Sequence, residues 1–263
     1  MSAWSIHHGE AWQWLRSLPS SSADALVTDP PYSSGGFTRG DRMADPSAKY
    51  RASGAAEITE TFSGDNRDQR SFERWLALWL TDAHRVLRPG SRVLLATDWR
   101  QLPAVCDAIQ AAGFVWRGVA VWTKCGASRP QLGRFRGDAE FFVWGSKGAL
   151  PIAGPCLPGT FESEAPEVAC PPVGTAKRLH LTEKPVHVME AVLAYVPSGL
   201  VLDPSTGSGS TGAACVRRGL DFAGCELSDH YHALASRRLE AEAAGVDGTA
   251  AAMDGQLALL GAT

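Results

Sequence analysis

The sequence predicts an α/β fold in which helices cover both faces of a doubly wound, mostly parallel sheet, with residues 1–263 forming a single domain. Two observations lead to this prediction. Short apolar runs alternate with segments of helical periodicity along most of the chain, which is the pattern of βαβ units. Two of these runs end abruptly in Asp-Pro, at Asp29 and at Asp203, as buried strands do at the rim of a sheet.

The N-terminal part is predicted to hold two strands and a helix, followed by a long loop. Residues 4–10 can form a short strand, and apolar side chains then recur at helical spacing up to Pro19. Residues 25–28 form a buried strand. Residues 33–70, which are rich in Ser, Gly, Asp and Arg, are predicted to be a mobile lid because a loop of that length beside a strand end is usually functional or disordered.

The rest of the chain continues the alternation of helices and strands. The predicted elements are a helix capped by Ser71 and stopped at Pro89, a strand over 93–96, a helix from Pro103 to Gly113, strands over 115–123 and 139–144, a helix begun by Thr182 and Pro185, a strand over 200–202, a helix to Arg218, a strand over 222–225 and a helix from about Asp229. Residues 147–178 hold six prolines and little periodicity, so they are predicted to be a linker or surface loop.

The bulk composition is that of a soluble globular protein. Hydrophobic residues make up 44% of the chain and the mean hydropathy is −0.11. No run is long enough to span a membrane and the N-terminus lacks a signal-peptide pattern, so a cytoplasmic protein is predicted. The six cysteines are scattered without a Cys-x-x-Cys pair, and His7 and His8 point to opposite faces of a strand. Neither a disulfide framework nor a metal site is predicted.

The distribution of charge says more than its sum. A net charge of −3 on its own argues against a nucleic-acid partner. From Arg117 to Arg136, however, there are five basic residues and no acidic one. A local basic face on a near-neutral enzyme is compatible with DNA, and solvated surface arginines are the alternative interpretation.

The first Asp-Pro site, Asp29-Pro30-Pro31-Tyr32, carries acceptors and an aromatic face but no nucleophile. Two successive prolines cannot donate ladder hydrogen bonds, so strand pairing ends there and the segment is stiff. A planar base with an exocyclic amine fits the carboxylate, carbonyl oxygens and ring that remain. The alternatives are a strand-end turn for Asp29 and core packing for Tyr32.

The second site follows the strand that ends at Asp203, where residues 207–212 match Gly-x-Gly-x-x-Gly. Glycines there let the backbone approach a ligand, and Glu226 at the end of the next strand can bind ribose hydroxyls. Alone, this pattern suggests a nicotinamide enzyme. Two observations argue against one: only about fifty residues follow Gly212, and a carboxylate beside the glycines suits a cationic amino group better than a pyrophosphate. A Walker phosphate loop is excluded because no Gly-Lys-Ser/Thr follows the glycines.

Three motifs, in this order, resemble the β-class (permuted) amino-methyltransferases of DNA, including enzymes of restriction-modification systems. They are Asp29-Pro30-Pro31-Tyr32, then His180-Leu181-Thr182-Glu183-Lys184-Pro185, then Asp203-Pro204 with Gly207-Ser208-Gly209. An Asp-Pro-Pro-Tyr tip is typical of N6-adenine members, whereas N4-cytosine members usually carry Ser first. Segments 129–136 and 140–144 are similar to phage-type members. The resemblance covers nearly the whole chain and implies a Rossmann-like fold that uses S-adenosylmethionine.

The resemblance also implies a role for each motif residue. Asp29 and the Pro30 carbonyl accept hydrogen bonds from the target amine, Pro31 completes the tip, and Tyr32 stacks on the base. Glu226 takes the ribose of S-adenosylmethionine, and Glu10 lies beside its adenine. The remaining cofactor-binding residues are expected to be Asp29, Thr182, Lys184, Pro185, Asp203, Pro204, Ser205, Thr206, Gly207, Ser208 and Gly209. Ser205 replaces the usual Phe, which removes an aromatic wall.

DNA is the implied partner. The candidate DNA-binding residues are Arg39, Lys124, Arg129, Arg134 and Arg136. The loop 147–178 is short where other members hold a target-recognition region, so sequence selectivity is either weak or built from 33–70 and 124–137. The oligomeric state stays open, with a homodimer among the alternatives.

The predicted reaction is direct methyl transfer to the N6 amine of a flipped-out adenine. The alternatives are an N4-cytosine methyltransferase, a protein-glutamine methyltransferase and a catalytically silent DNA-binding protein of the same fold. Glutamine enzymes usually carry Asn at the first tip position and place the glycine loop upstream, unlike this chain. An intact Asp29 and an intact glycine loop argue against a silent protein.

Overall fold

A single eight-stranded sheet organises the computed structural model, which describes residues 2–32, 67–124, 132–133, 135–151, 155–162 and 183–249. The strands are β1 (Trp4–His8), β2 (Ala23–Thr28), β3 (Leu87–Thr97), β4 (Val115–Thr123), β5 (Ala139–Ser146), β6 (Thr160–Glu162), β7 (Leu200–Asp203) and β8 (Asp221–Glu226). Their spatial order is β1-β8-β7-β2-β3-β5-β4-β6.

The sheet is parallel except for β5. That strand runs antiparallel to β3 on one side and to β4 on the other, and every other neighbouring pair is parallel. The α/β fold with a mostly parallel sheet is therefore confirmed. Strand β5 directly follows β4 in the chain and pairs with it. Such consecutive strands can be antiparallel, because a parallel pair would need a crossover connection over a face of the sheet.

Helices cover both faces of the sheet. Within the described residues they are α1 (Ala11–Ser17), α2 (Gln69–Val86), α3 (Leu102–Ala111), α4 (Val186–Leu193), α5 (Ser210–Arg218) and α6 (Asp229–Ala243). One apolar cluster joins α1, α2 and α3 to the sheet, and a second joins α4, α5 and α6. Alternate residues of a strand serve the two clusters, as at Leu26 against Ala25 and Val27 in β2. A strand buried on both faces needs the continuous apolar run seen in the sequence.

Several boundaries differ from the sequence expectations, and β3 begins at Leu87, six residues before the predicted strand. Helix α2 begins at Gln69 because the Asp68 side chain accepts hydrogen bonds from the Arg70 and Ser71 amides, so Asp68 and not Ser71 is its cap. The predicted lid 33–70 thus overlaps the helix, and residues 33–66 lie outside the described residues. Within 147–178, residues Thr160–Glu162 form a short strand beside β4.

None of the described helices combines the length and apolar character that crossing a bilayer requires.

Candidate active site

The two Asp-Pro sites lie side by side at the carboxyl edge of the sheet. Strand β2 pairs in parallel with β7, with Leu26 opposite Leu202, so both strands end at the same level. The Thr28 hydroxyl donates a hydrogen bond of 2.7 Å to Asp203 Oδ1, which joins the two strand ends directly. Side chains that leave neighbouring parallel strands at this edge form the usual ligand-binding crevice of open α/β sheets.

Lys184 holds one of the two carboxylate oxygens of Asp29. Its Oδ2 accepts a hydrogen bond of 2.7 Å from the ammonium of Lys184, whereas Oδ1 is buried and has no hydrogen-bond partner among the described residues. Burial raises the pKa of the Asp29 carboxyl above its ordinary value, and the charge of Lys184 opposes that rise. The free oxygen is a ready acceptor, since an unsatisfied buried acceptor is costly until a donor arrives.

Lys184 is a buried cation and not a solvated lysine, because only 5% of its side chain is exposed. Besides Asp29, its ammonium lies 3.1 Å from Glu140 Oε2 and donates a hydrogen bond of 3.2 Å to the Tyr32 hydroxyl. Burial alone lowers the pKa of a lysine, yet the two carboxylates outweigh it and raise the pKa of Lys184 well above its ordinary value. The group is therefore a fixed positive charge.

Glu140 and Lys124 complete the charged cluster, and sequence reasoning assigned neither of them to it. Glu140 is the second residue of β5 and accepts a hydrogen bond from Lys124, which directly follows β4, while its other oxygen faces Lys184. Burial tends to raise the pKa of Glu140, but the two lysines lower it below its ordinary value. A carboxylate at the start of an apolar strand, next to a basic loop, was the only signal for this contact. Lys124, predicted from the sequence as a candidate DNA-binding residue, forms an ion pair with Glu140.

Asp203 is the second buried carboxylate of the edge, with 1% of its surface exposed. Oδ1 accepts hydrogen bonds from Thr28 and from the Ser205 amide. Burial raises its pKa to about 6, against hydrogen bonds from Thr28 and Thr211 that lower it. Asp203 is therefore expected to lose its negative charge as the pH falls through about 6.

The loop after Asp203 requires glycine at two turning points. Gly207 and Gly209 have φ angles of 54° and 85°, in the region that side chains disfavour. A Cβ at Gly209 would also lie 3.1 Å from Ala235 of α6. The expected neighbours Pro204, Thr206 and Ser208 are buried and Ser205 is partly exposed.

Glu226 and Glu10 lie at the same edge as the glycine loop. The Glu226 carboxylate accepts hydrogen bonds from the Gly207 amide at 2.8 Å and the Ser228 amide at 2.9 Å, and its carbonyl accepts one from Gly9. Glu226 thus fixes the loop and keeps acceptor capacity for a hydroxyl pair. Glu10 follows Gly9, is exposed, and stands at the start of α1.

A buried arginine ties the glycine loop to the Glu183-Lys184-Pro185 segment. Arg238 of α6, 1% exposed, contacts Glu183 Oε1 at 2.7 Å and donates hydrogen bonds to the Ser208 carbonyl and the Ser210 hydroxyl. Since Lys184 lies between Glu183 and Pro185, which caps α4, this contact also helps to fix the backbone that carries Lys184. Nothing in the sequence pattern pointed to Arg238.

The other predicted site residues differ in burial, and some of them lie outside the described residues. Pro30 is buried and Pro31 half-buried, while Tyr32, 7% exposed, packs in the core with its hydroxyl on Lys184. Arg136 is exposed, three residues before β5. Thr182, Arg39, Arg129 and Arg134 lie outside the described residues, so their roles stay predictions.

The edge as a whole can hold a cofactor and a polar target together. Asp203 offers a carboxylate to a cationic group, the glycine turn allows close approach of a ligand, and Glu226 offers acceptors to hydroxyls. Asp29 offers a free acceptor one strand away. The amine of Lys184 could act as a nucleophile only without its proton, and the two carboxylates hold it as a cation, which favours direct transfer over covalent catalysis.

Comparisons with known proteins agree with this arrangement. A family described as DNA methylase, of the N6 and N4 type, matches residues 23–237. The Escherichia coli (strain K12) protein YubD, a methylase by name, is 27% identical over 89% of this chain and 88% of its own. The type II methyltransferase M2.DpnII of Streptococcus pneumoniae is 24% identical over 89% of both chains.

Solved structures share the fold. The M1.HpyAVI–SAM complex superposes with a TM-score of 0.61 at 22% identity, covering 90% of this chain and 98% of the other. The cytosine-N4-specific PvuII DNA methyltransferase gives a TM-score of 0.61 at 17% identity, covering 90% of this chain and 86% of the other. Because the family match spans most of the chain, this protein belongs to the N6/N4 DNA methylase family.

Proposed function

We propose that this protein transfers a methyl group from S-adenosylmethionine to the N6 amine of adenine in DNA. One observation carries the proposal. The unpartnered carboxylate oxygen of Asp29 and the glycine loop that follows Asp203 lie at the same edge of the sheet, on neighbouring strands. An amine that has lost its basicity to ring conjugation needs acceptors on its N–H bonds and a methyl donor held beside it. The two strand ends supply these two halves.

The cofactor half fits S-adenosylmethionine. Asp203 suits the cationic amino group of its methionine end, Glu226 suits its ribose hydroxyls, and Gly207 and Gly209 leave room for the backbone to approach it. Glu10, exposed at the start of α1 and next to Gly9, which is hydrogen-bonded to the Glu226 carbonyl, is the proposed neighbour of the cofactor's adenine ring. M1.HpyAVI, which shares this fold, was solved with that cofactor. When bound, S-adenosylmethionine supplies an electrophilic methyl group.

The target half is the Asp29-Pro30-Pro31-Tyr32 tip. Asp29 Oδ1 and the Pro30 carbonyl accept hydrogen bonds from the two N–H groups of the amine, which favours a pyramidal nitrogen. When the nitrogen gains the methyl group it loses one proton, and Asp29 takes that proton. The base must leave the duplex to reach this edge, at a cost of a few kcal/mol. Stacking on Tyr32 would return about 1–3 kcal/mol once the ring is uncovered.

DNA is proposed to lie across the carboxyl edge, flanked by the segment between β4 and β5. Thr123 pairs with Ala139, so this segment leaves and re-enters the sheet on the side of Asp29. Arg136 is exposed there. We retain Arg39, Arg129, Arg134 and Arg136 as the proposed phosphate contacts. Lys124 is also a proposed phosphate contact, and in the structure its ammonium pairs with Glu140.

Binding of the cofactor is expected to weaken as the pH falls through about 6, because a protonated Asp203 cannot pair with a cationic amino group. Its pKa of about 6 means that the carboxylate form, and with it the affinity, falls about tenfold per pH unit below that value. Calorimetric titration of the cofactor between pH 5 and pH 8 measures this. Asp203→Asn should bind weakly with no such dependence, and an equal slope in that variant would contradict the assignment.

The proposal is tested by incubating the protein with methyl-labelled S-adenosylmethionine and DNA and then analysing the nucleosides. Label in N6-methyladenine supports it. Label in N4-methylcytosine moves the target to the base that PvuII methyltransferase modifies and overturns the adenine assignment. Label in protein, or none in DNA of any sequence while the cofactor binds, overturns the proposed activity.

A further inference from the structure

The ammonium of Lys184 donates two hydrogen bonds within the protein, to Asp29 and to Tyr32, and forms an ion pair with Glu140. An ammonium group carries three N–H bonds, and Lys184 has three acceptors within reach: Asp29 at 2.7 Å, Glu140 at 3.1 Å and the Tyr32 hydroxyl at 3.2 Å. These acceptors come from the tip that follows β2 and from the start of β5. Lys184 is therefore committed to the target half of the site.

This geometry distinguishes the two oxygens of Asp29. Oδ2 is fixed by Lys184, and Oδ1 is buried without a partner among the described residues. A carboxylate held at one oxygen cannot rotate freely, so the other oxygen keeps a single orientation. Preorganised acceptors of this kind stabilise developing positive charge without reorganising during the reaction.

Glu140 limits how strongly Lys184 neutralises Asp29. It lies in contact with the same ammonium and is itself paired with Lys124 on its far oxygen. The charged and titratable groups that act on Asp29 are thus Lys184, Glu140 and Lys124, with Tyr32 in contact with Lys184 and Asp203 on the neighbouring strand. Lys184 and Lys124 favour the carboxylate form of Asp29, and Glu140 favours the protonated form.

We propose that Lys184 and Glu140 are positioning residues for methyl transfer: Lys184 fixes Asp29 so that Oδ1 alone meets the amine, and Glu140 shares the ammonium so that Asp29 remains a strong acceptor. Neither residue touches the transferred methyl group. The inference rests on the proposed function, since it concerns how the same amine is received. It gives Lys184 a different task from the cofactor contact that the sequence motif implied.

Opposite changes in the pH dependence of kcat are expected from the two substitutions. Lys184→Met removes the cation from Asp29, so the acid limb of the kcat profile moves to higher pH, by about 1–3 pH units for an opposite charge at this distance. Glu140→Gln removes the competing carboxylate, so Lys184 acts on Asp29 alone and the acid limb moves to lower pH by a smaller amount. A purely structural role would lower activity in both variants and leave the acid limb in place.

The dissociation constant of S-adenosylmethionine separates this inference from a cofactor-binding role. It should stay within about twofold of the wild-type value in Glu140→Gln, while kcat falls. Glu242→Gln is the matched control, because Glu242 is a largely buried carboxylate paired with Arg217 away from the edge. It should leave both the acid limb and the dissociation constant unchanged. A large loss of cofactor affinity in Glu140→Gln and Lys184→Met would overturn the positioning role.

A second measurement requires no enzymatic activity, and it remains informative if the Lys184→Met variant does not fold. Titration of the ¹³C signal of the Asp29 carboxyl in wild type and Glu140→Gln should show a lower pKa in the variant. An unchanged or higher pKa overturns the inference even where DNA is methylated normally. If wild type binds cofactor but methylates no DNA, the proposed function fails instead, and the titration still decides how the cluster behaves.

Discussion

Replacing Asp29 by alanine is expected to lower kcat for DNA methylation by about 10²–10³-fold, the usual effect of losing one preorganised electrostatic contact to the reacting group. Asp29 Oδ1 is buried without a hydrogen-bond partner among the described residues, and Glu140, the other carboxylate of the cluster, is held in ion pairs with Lys184 and Lys124. Cofactor affinity should change by less than about threefold, since Asp203 and Glu226 hold the other half of the site. Single-turnover methylation and calorimetry measure the two quantities separately.

The control for Asp29→Ala is Glu73→Ala. Glu73 belongs to an ion pair with Arg70 on helix α2, whose arginine is 85% exposed, and its loss should leave kcat within about twofold of wild type. If Asp29→Ala methylates DNA at the wild-type rate, Asp29 does not receive the amine. If it loses cofactor binding to the same degree as activity, Asp29 belongs to the cofactor half.

Replacing Arg238 by methionine is expected to reduce the free energy of unfolding by about 3–5 kcal/mol, the usual cost of removing one partner from a buried ion pair. Arg238 is 1% exposed and Glu183 is 11% exposed, so the carboxylate left behind stays out of water. The Ser208 carbonyl and Ser210 hydroxyl lose a donor as well. Methionine keeps much of the volume and the flexible stem, so the loss reflects charge and hydrogen bonds more than a cavity.

Urea unfolding of Arg238→Met, Glu183→Gln and the double variant measures this effect and its origin. The double variant should recover part of the loss, because two contacting residues are not additive. Arg70→Met, in an exposed pair, should cost less than about 1 kcal/mol. A loss below about 1 kcal/mol in Arg238→Met, or full additivity with Glu183→Gln, would show that the pair does not hold the glycine loop to α4.

The parts of the site that were predictable are those that depend on local sequence. Asp29 and Asp203 each end an apolar run, and parallel strands end at one edge, so their proximity follows from the alternation of helices and strands. Gly207 and Gly209 follow from the need for positive φ angles after a strand. These signals lie within a few residues of one another in the chain.

The contacts that were missed join residues far apart in sequence. Lys184 and Asp29 are separated by 155 positions, and nothing local indicates that this lysine is buried. Arginine is seldom fully buried, so the helix sequence around Arg238 gives no reason to expect it in the interior. The choice of Asp68 over Ser71 as a cap rests on which backbone amides it reaches. The antiparallel β5 and the short β6 depend on pairing partners that periodicity does not identify.

The most direct test of a shared cavity uses one ligand that covalently joins the N6 nitrogen of adenosine to S-adenosylhomocysteine through a short linker. If Asp29 and the glycine loop serve one transfer, this ligand should bind at least about 10²-fold more tightly than S-adenosylhomocysteine, because the second contact becomes intramolecular. Asp29→Ala should remove that gain. An affinity equal to that of S-adenosylhomocysteine alone, and unaffected by Asp29→Ala, would contradict a common site for the amine and the methyl donor.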